Sequence, residues 1–282
     1  MSGPTRDLVG YGRTPPQVQW PGGARLALSL VVNYEEGSER TLPEDGENEG
    51  LGEVARPVGA EHRDLATESV YEYGSRVGVH RVLRVLERYD ARCTFFAAAV
   101  ALERNPEVAA WVREAGHEPC SHGWRWSEEW LLSREEERER IDLAVASIAR
   151  TCGERPVGWY SRWMPSVHTR ELLVEEGGFL YDSNAYNDMR FVNGGVGGPA
   201  DFLDYCRRAV DFLREEGQDA PRMLSIGLHP RFIGQAGRAS ALRDLLDYVR
   251  TAGDVWIATR REIAEWWLAN QPPEGGVSPS RG

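Results

Sequence analysis

The sequence predicts an α/β fold in which a parallel sheet forms a distorted barrel of seven or eight β/α units. Residues 25–33 read RLALSLVVN, a continuous apolar run that is typical of a strand buried on both faces. Along the rest of the chain, short strand-like runs alternate with segments of helical periodicity. The length of 282 residues suits one barrel domain better than two small domains.

Seven segments have the length and the apolar composition of buried strands. Parallel strands need helical connections between them, and each of these segments is followed by a segment that can supply one. The predicted strands span residues 25–33, 91–98, 116–121, 156–160, 178–181, 222–229 and 255–258.

The connecting segments carry recognisable helix signals. Residues 79–86 place their apolar side chains in one stripe, Pro106 stands in a first helical turn, and Ser133 opens a capping pattern. The predicted helices span residues 75–89, 106–115, 133–151, 166–176, 199–216, 238–251 and 260–269.

The predicted domain organisation is simple. Residues 1–24 are expected to form an irregular arm, 25–270 a single barrel domain, and 271–282 a disordered tail. Residues 37–70 are acidic and Gly-rich without a clear period, and so long a loop is usually functional or mobile. A doubly wound open sheet is the alternative fold, although no glycine-rich nucleotide motif follows the first strand.

Composition and charge restrict the function. The net charge of −11 argues against a nucleic-acid partner or an anionic membrane, and the partner expected below is a small-molecule substrate. No signal peptide and no apolar run of transmembrane length occur, so a cytoplasmic location is expected. Four widely spaced cysteines predict reduced thiols rather than a disulfide frame or a zinc knuckle; they are Cys93, Cys120, Cys152 and Cys206.

Candidate chemistry lies where predicted strands end. In β/α barrels the active site is built at the carboxyl ends of the strands. Glu35 and Glu36 follow the first strand, His122 the third, Tyr160 the fourth, and His229 the strand at 222–229. Two carboxylates and two histidines therefore converge on one rim, which is a general acid/base set.

Some of these residues also allow a plainer interpretation, although His229, directly after an apolar strand, is less easily explained in that way. Glu35 and Glu36 could open a solvated acidic loop, and His122 could be a core histidine with its hydrogen bonds satisfied. Trp124 and Trp126 could form a pocket wall or could simply pack at the rim. The remaining histidines are interpreted as structural or incidental; they are His62, His80, His117 and His168.

Three motifs resemble those of the polysaccharide deacetylase (NodB-like) family. Residues 33–37, NYEEG, resemble its first motif, usually Thr-Phe-Asp-Asp-Gly. Residues 121–126, SHGWRW, resemble its second motif, Ser-His-Thr-x-x-His, and Leu228-His229 resembles the last motif. Longer runs, among them RDLVGYGR at 6–13 and ESVYEYGSR at 68–76, are similar to the cofactor-independent allantoinases, cytoplasmic enzymes of purine catabolism that hydrolyse the ring amide of allantoin.

The resemblance implies a role for each matching residue. Glu35 falls at the catalytic base and His229 at the general acid. Glu36 and His122 fall at metal ligands of the family but would hold the substrate in a metal-free enzyme, together with residues of the pocket; these are Trp126, Tyr160 and Trp124.

Trp126 departs from the family pattern in a way that matters chemically. It stands where the second ligand histidine is expected, and an indole N–H cannot ligate a metal. Glu36 and His122 alone would leave two ligands where a catalytic zinc commonly has three, so no cofactor is expected. The alternative is zinc held by Glu36, His122 and a further ligand such as His62.

A second departure concerns the residues around Asn187-Asp188. In the allantoinase-like members, additional residues with a strand separate the two halves of this stretch. Either the chain lacks one strand of the pocket, or a segment of the protein is missing from the sequence at this point.

Three functions compete. The first is a metal-independent amidohydrolase acting on allantoin or a related small ureide. The second is a metal-dependent deacetylase of N-acetyl sugars, and the third is a catalytically silent relative. The resemblance also implies a homo-oligomer, which the arm at 1–24 could mediate.

Overall fold

The computed structural model describes residues 6–49, 58–185, 197–220 and 222–271. Within these residues, parallel strands form one seven-stranded sheet, as the sequence predicts. The strands are β1 (Leu26–Tyr34), β2 (Thr94–Ala97), β3 (Glu118–Ser121), β4 (Gly158–Trp159), β5 (Tyr181–Asp182), β6 (Arg222–Leu228) and β7 (Val255–Ile257).

Strand β1 lies at the centre of the sheet. The strand order is β5-β4-β3-β2-β1-β6, and β7 pairs with the first residues of β1. Leu26 to Val32 pair with β6, while Val31 to Tyr34 pair with β2. The order descends from β5 to β1, and β6 then lies on the other side of β1. Because this sheet curls as in the known barrels of this type, the barrel prediction is confirmed and the open-sheet alternative is not. The sheet curls as a half-barrel whose edges, in the described residues, are β5 and β6.

Helices cover the outer face of the sheet. Those of the described residues are α1 (Leu42–Asp45), α2 (Leu65–Tyr73), a π-helical turn (Gly74–Gly78), α3 (Val79–Arg88), α4 (Ala99–Arg104), α5 (Pro106–Glu114), α6 (Arg134–Cys152), α7 (Thr169–Glu176), α8 (Pro199–Glu216), α9 (Pro230–Ile233), α10 (Ala236–Ala252) and α11 (Arg260–Asn270).

The two faces of β1 have different roles. Leu26, Leu28 and Leu30 belong to the main core, together with apolar residues of α3, α8 and α10. The intervening residues, such as Val31, face the other way and pack with interior residues of neighbouring strands. Because side chains alternate along a strand, Glu35 continues the interior face of β1 and Glu36 the helix face.

The predicted loop at 37–70 is partly wrong. Helix α2 begins at Leu65 and continues through the π-helical turn into α3. Only Thr67 and Tyr71 of α2 are buried. The sequence of α2 therefore lacks the apolar stripe by which a packed helix is predicted, and the helix was missed for this reason. The capping pattern at Ser133 is confirmed, because Ser133 and Glu136 form a complete capping box at the start of α6.

Other sequence-based expectations can be placed on the structure. All four cysteines are buried and none forms a disulfide, as predicted. In the described residues, no helix is both long and apolar enough to cross a membrane. Residues of the predicted arm pack under the sheet, where Trp20 lies 5.8 Å from Trp256 between ring centroids. The junction at Asn187-Asp188 lies outside the described residues.

Candidate active site

Four of the predicted residues meet at the carboxyl ends of the strands. Glu35 and Glu36 follow β1, His122 follows β3, and His229 follows β6. Strand β1 pairs with both β2 and β6, and β3 lies beside β2, so these ends are close in space.

Three side chains lie against the carboxyl group of Glu35. Its Oε1 lies 3.2 Å from Nε2 of His122 and 3.4 Å from Nε2 of His229. Its Oε2 accepts a 2.8 Å hydrogen bond from Nη1 of Arg231. Burial opposes ionisation of Glu35, but Arg231 and the two histidines outweigh burial and hold the pKa of this carboxyl well below its usual range. Glu35 is therefore a carboxylate at neutral pH.

Glu36 is held differently, by backbone amides. Its Oε1 accepts the N–H of Arg231 at 3.1 Å, and its Oε2 accepts the N–H of Glu35 at 3.0 Å. Burial raises the pKa of Glu36 to about 7, against the influence of Arg231, and the neighbouring Glu35 carboxylate adds to the rise. A Cβ at Gly74 would lie 2.5 Å from Glu36 Oε1, so only glycine lets the π-helical turn approach this closely.

Arg231 is a site residue that the sequence analysis missed. It lies in the single turn α9, directly after β6, and its side chain is 3% exposed. Its guanidinium carbon lies 4.8 Å from the ring centroid of Tyr71 and 5.9 Å from that of Trp126. The sequence feature that could have indicated Arg231 is its position two residues after His229, at the end of the same strand.

His122 has a fixed orientation. Its Nδ1 donates to the carbonyl oxygen of Tyr160 at 2.8 Å, since a carbonyl can only accept. Its ring stacks on that of Tyr160 with 4.8 Å between centroids, and Tyr160 in turn packs on Phe96. The stacking on Tyr160 and the hydrogen bond to its carbonyl oxygen orient the His122 ring so that Nε2 faces Glu35. His122 and Tyr160 therefore help to hold the Glu35 carboxyl group in place.

The two predicted tryptophans lie in different surroundings. Trp126 is 8% exposed and packs against Arg162, whose guanidinium carbon lies 3.8 Å from the ring centroid. Trp124 instead contacts Arg140 of α6 at 4.6 Å and packs with two core clusters. Trp126 thus lies beside Arg231 at the site. The contacts of Trp124 agree instead with the interpretation that it packs at the rim of the barrel.

A buried ion pair ties the acidic segment after β1 to the site. Glu49 accepts hydrogen bonds from Arg162 at 2.5 and 3.2 Å, and both side chains are nearly inaccessible. Arg162 also donates to the backbone oxygen of Trp126 at 2.7 Å. Neither residue was singled out from the sequence, because the two partners are 113 positions apart.

Solvent reaches this group of residues unequally. The side chains of Glu35, Glu36, His122 and Arg231 are each at most 3% exposed. The side chain of His229 is 21% exposed. His229 is therefore the most exposed of these five side chains.

The described residues do not fit a divalent metal. No group of three His, Cys, Asp or Glu side chains among them is arranged to hold a metal ion. Both oxygens of Glu36 already accept backbone N–H groups, and a buried guanidinium lies 3.6 Å away. His62, the further ligand considered for zinc, is 71% exposed and lies 3.6 Å from Glu61.

The other histidines occupy structural positions. Nδ1 of His117 accepts the N–H of Cys93 at 3.2 Å, and burial lowers the pKa of His117 to about 4. His80 stacks on Trp111 with 5.6 Å between ring centroids. These contacts agree with the structural interpretation of both residues.

Carboxylates and imidazoles at the carboxyl ends of a curled parallel sheet are the groups that a hydrolase of the acid/base class needs, and comparison with known proteins shows the family. The polysaccharide deacetylase family model matches residues 66–165. A Schizosaccharomyces pombe protein named "Putative polysaccharide deacetylase" is 34% identical over 319 residues, covering 95% of this chain and 98% of the relative. The chain therefore belongs to the polysaccharide deacetylase family and is a hydrolase of C–N bonds other than peptide bonds.

Two solved structures are similar over nearly the whole chain. A structure titled "probable Polysaccharide deacetylase from Pseudomonas aeruginosa PAO1" has 40% identity and a TM-score of 0.89, covering 95% of this chain and 99% of that one. The structure of Puue allantoinase has 39% identity and a TM-score of 0.89, covering 96% and 100%. The names of these two proteins imply different substrates. Similarity alone therefore does not identify the substrate of this chain, which has to be inferred from the chemistry of the site.

Proposed function

We propose that this protein is a metal-independent amidohydrolase that opens a small cyclic ureide, with allantoin as the first substrate to test. The observation that carries this proposal is the arrangement of Glu35 and Glu36, whose oxygens are engaged by Arg231, backbone N–H groups and histidines. Carboxylates engaged in this way are poor metal ligands. The 39% identity to Puue allantoinase supports the choice of substrate class.

The geometry supports a particular division of labour between Glu35 and His229. A general base works best when its pKa is near the working pH, and Arg231 holds the pKa of Glu35 far below it. His229 is more exposed and lies 3.4 Å from Glu35. We propose that His229 exchanges protons with the reactants, while Glu35 orients its ring and stabilises its protonated form.

The reaction then proceeds in two proton transfers. His229 takes a proton from water as the water oxygen attacks the ring carbonyl carbon. The protonated His229 gives that proton to the ring nitrogen as the C–N bond breaks, which yields a carboxylic acid and a free N–H group. The acid then releases its own proton to solvent and becomes a carboxylate at neutral pH. A ring amide of a ureide is more activated than an acetamide, which suits a site without a Lewis acid.

Deacetylation of an N-acetyl sugar is the second candidate. The Schizosaccharomyces pombe and Pseudomonas aeruginosa relatives, both named as polysaccharide deacetylases, favour it. It requires either a ligand set beyond Glu36 and His122 or a metal-free attack on an unactivated amide.

One preparation tests both candidates. Purified protein is incubated with allantoin, hydantoin and N-acetylglucosamine oligomers, each with and without a chelator. We expect chelator-insensitive ring opening of a ureide, which E35Q abolishes and E61Q, at a 73% exposed position, does not. Chelator-sensitive release of acetate without ureide turnover would establish the deacetylase instead. Absence of turnover on every substrate would favour the catalytically silent relative.

A further inference from the structure

We propose that Arg231 is the fixed cation of this site: a positioning residue that holds both carboxylates and excludes a divalent metal from them. The positioning half of this inference rests on the proposed function, whereas the exclusion half does not. Arg231 was not among the residues indicated by the sequence.

Arg231 contacts both carboxylates from two different atoms. Its Nη1 donates to Glu35 Oε2 at 2.8 Å and lies 3.6 Å from Glu36 Oε1. Its backbone N–H donates to the same Glu36 oxygen at 3.1 Å. One residue therefore fixes the relative positions of Glu35 and Glu36, which is the task that a metal performs when it bridges two acidic ligands.

The guanidinium cannot easily leave this position. It lies over three aromatic rings, with centroid distances of 4.8 Å to Tyr71, 5.1 Å to Phe232 and 5.9 Å to Trp126. Cation–π contacts of this kind stabilise a buried arginine. Unlike a bound metal, such a cation is part of the chain and cannot be removed by a chelator.

The backbone that carries Arg231 is also held tightly. A Cβ at Gly78 would lie 2.2 Å from the backbone oxygen of Pro230, so the π-helical turn packs directly on α9. A Cβ at Gly234 would lie 2.3 Å from the Cα of Gly78, which fixes the other end of α9. The position of Arg231 is therefore determined by close backbone packing as well as by its ion pairs.

The same charge works against a metal. A divalent ion bound to Glu36 would lie a few ångströms from a buried guanidinium, and the repulsion between like charges is strong where water is excluded. The ion would also have to displace two backbone N–H groups from the Glu36 oxygens. We therefore expect Glu36 to bind a divalent metal only after the charge of Arg231 has been removed.

Zinc uptake tests the exclusion. Trp126 lies beside Arg231, so a histidine at position 126 would add a third donor near Glu36 and His122. Wild type, W126H, R231M and the double variant are each dialysed against Zn²⁺, and the zinc-to-protein ratio is measured with circular dichroism as a check of folding. We expect about one zinc per chain in the double variant and at least tenfold less in the other three. Stoichiometric zinc in W126H, where Arg231 is retained, would overturn the exclusion, as would a folded double variant without zinc.

Kinetics test the positioning. With allantoin as substrate, R231M should lower kcat by about 100-fold with KM changed less than about threefold, because a misplaced Glu35 no longer orients His229. R231K, which keeps the charge, should recover at least tenfold of that loss. R207M is the matched control and should keep the wild-type kcat, since Arg207 also lies over an aromatic ring, that of Tyr248 at 4.9 Å, but belongs to α8 rather than to a strand end. Equal kcat in R231M and wild type, or no recovery in R231K, would contradict the positioning role.

The two experiments fail in different ways. If the wild-type protein opens no ureide, the proposed function is wrong, and the kinetic test of the positioning role cannot be carried out. The zinc ratios are measured without any substrate and still decide whether Arg231 keeps a metal out.

Discussion

Nη1 of Arg231 lies 2.8 Å from Oε2 of Glu35, and both side chains are 3% exposed. A buried ion pair of this kind leaves Glu35 ionised and leaves only its other oxygen available to the histidines. The ionisation of Glu35, which follows β1, is thus set by a residue that follows β6. Several measurable consequences depend on this pair.

Removing the charge of Glu35 should impair both activity and stability. In E35Q we expect kcat to fall at least about 100-fold, because His229 loses its orienting partner. We also expect a loss of about 3 kcal/mol in the free energy of unfolding at pH 7, because the buried Arg231 loses its shorter ion pair and keeps only Glu36, 3.6 Å from its Nη1. Urea denaturation and steady-state kinetics measure the two effects, and E61Q serves as the exposed control.

The stability difference between wild type and E35Q should depend on pH in a defined direction. The pKa of Glu35 is lower in the folded protein than in the unfolded chain, so its ionisation stabilises the fold above its ordinary pKa. That contribution is lost as the pH falls towards the folded-state pKa. The two proteins should therefore converge in stability below about pH 4, and a constant gap down to pH 2 would contradict the assigned pKa shift.

The strand ends were predictable from sequence, whereas the contacts between them were not. Apolar runs followed by polar residues located Glu35, His122 and His229, because parallel strands share one polarity. A buried arginine looks like a surface arginine in sequence, so Arg231 was missed although it follows His229 by two residues. The pair formed by Glu49 and Arg162 depends on a fold that brings distant segments together, which no local pattern records.

Glu129 should make the protein less stable as the pH rises. It is 3% exposed, and burial raises its pKa to about 8; a Ser161 hydroxyl offsets part of the rise, while Glu137 adds to it. A carboxyl with a raised folded-state pKa stabilises the fold fully below its unfolded pKa and loses this contribution as the pH rises through the folded value. Between pH 5 and 8, wild type should lose stability relative to E129Q by about 1.4 kcal/mol per pH unit. Urea denaturation at four pH values measures this slope, and the exposed E135Q should show none.

The ion pair of Glu49 and Arg162 should hold the segment after β1 in place. R162M leaves the buried Glu49 carboxylate without its ion-pair partner, which typically destabilises a protein by about 3–5 kcal/mol. E49M should cost less, because Arg162 keeps its 3.4 Å contact with Glu128. The double variant E49M/R162M removes both charges and should be more stable than either single variant. Urea denaturation of the four proteins measures this coupling. Additive losses in the double variant would show that the two side chains act independently.

His229 should be replaceable by an imidazole from solution, and His122 should not. In H229A, loss of the proton-transfer group should lower kcat by about 100-fold or more. Because the side chain of His229 is 21% exposed, its deletion opens a space that a small molecule can reach from solvent. Added imidazole should then restore activity in a saturable way, and with a pH dependence that follows the pKa of the added base. H122A is the matched control, because His122 is 1% exposed and its Nδ1 is already committed to the carbonyl of Tyr160. Rescue of H122A to the same extent, or failure to rescue a folded H229A across a series of imidazoles, would place the proton transfer on Glu35 itself.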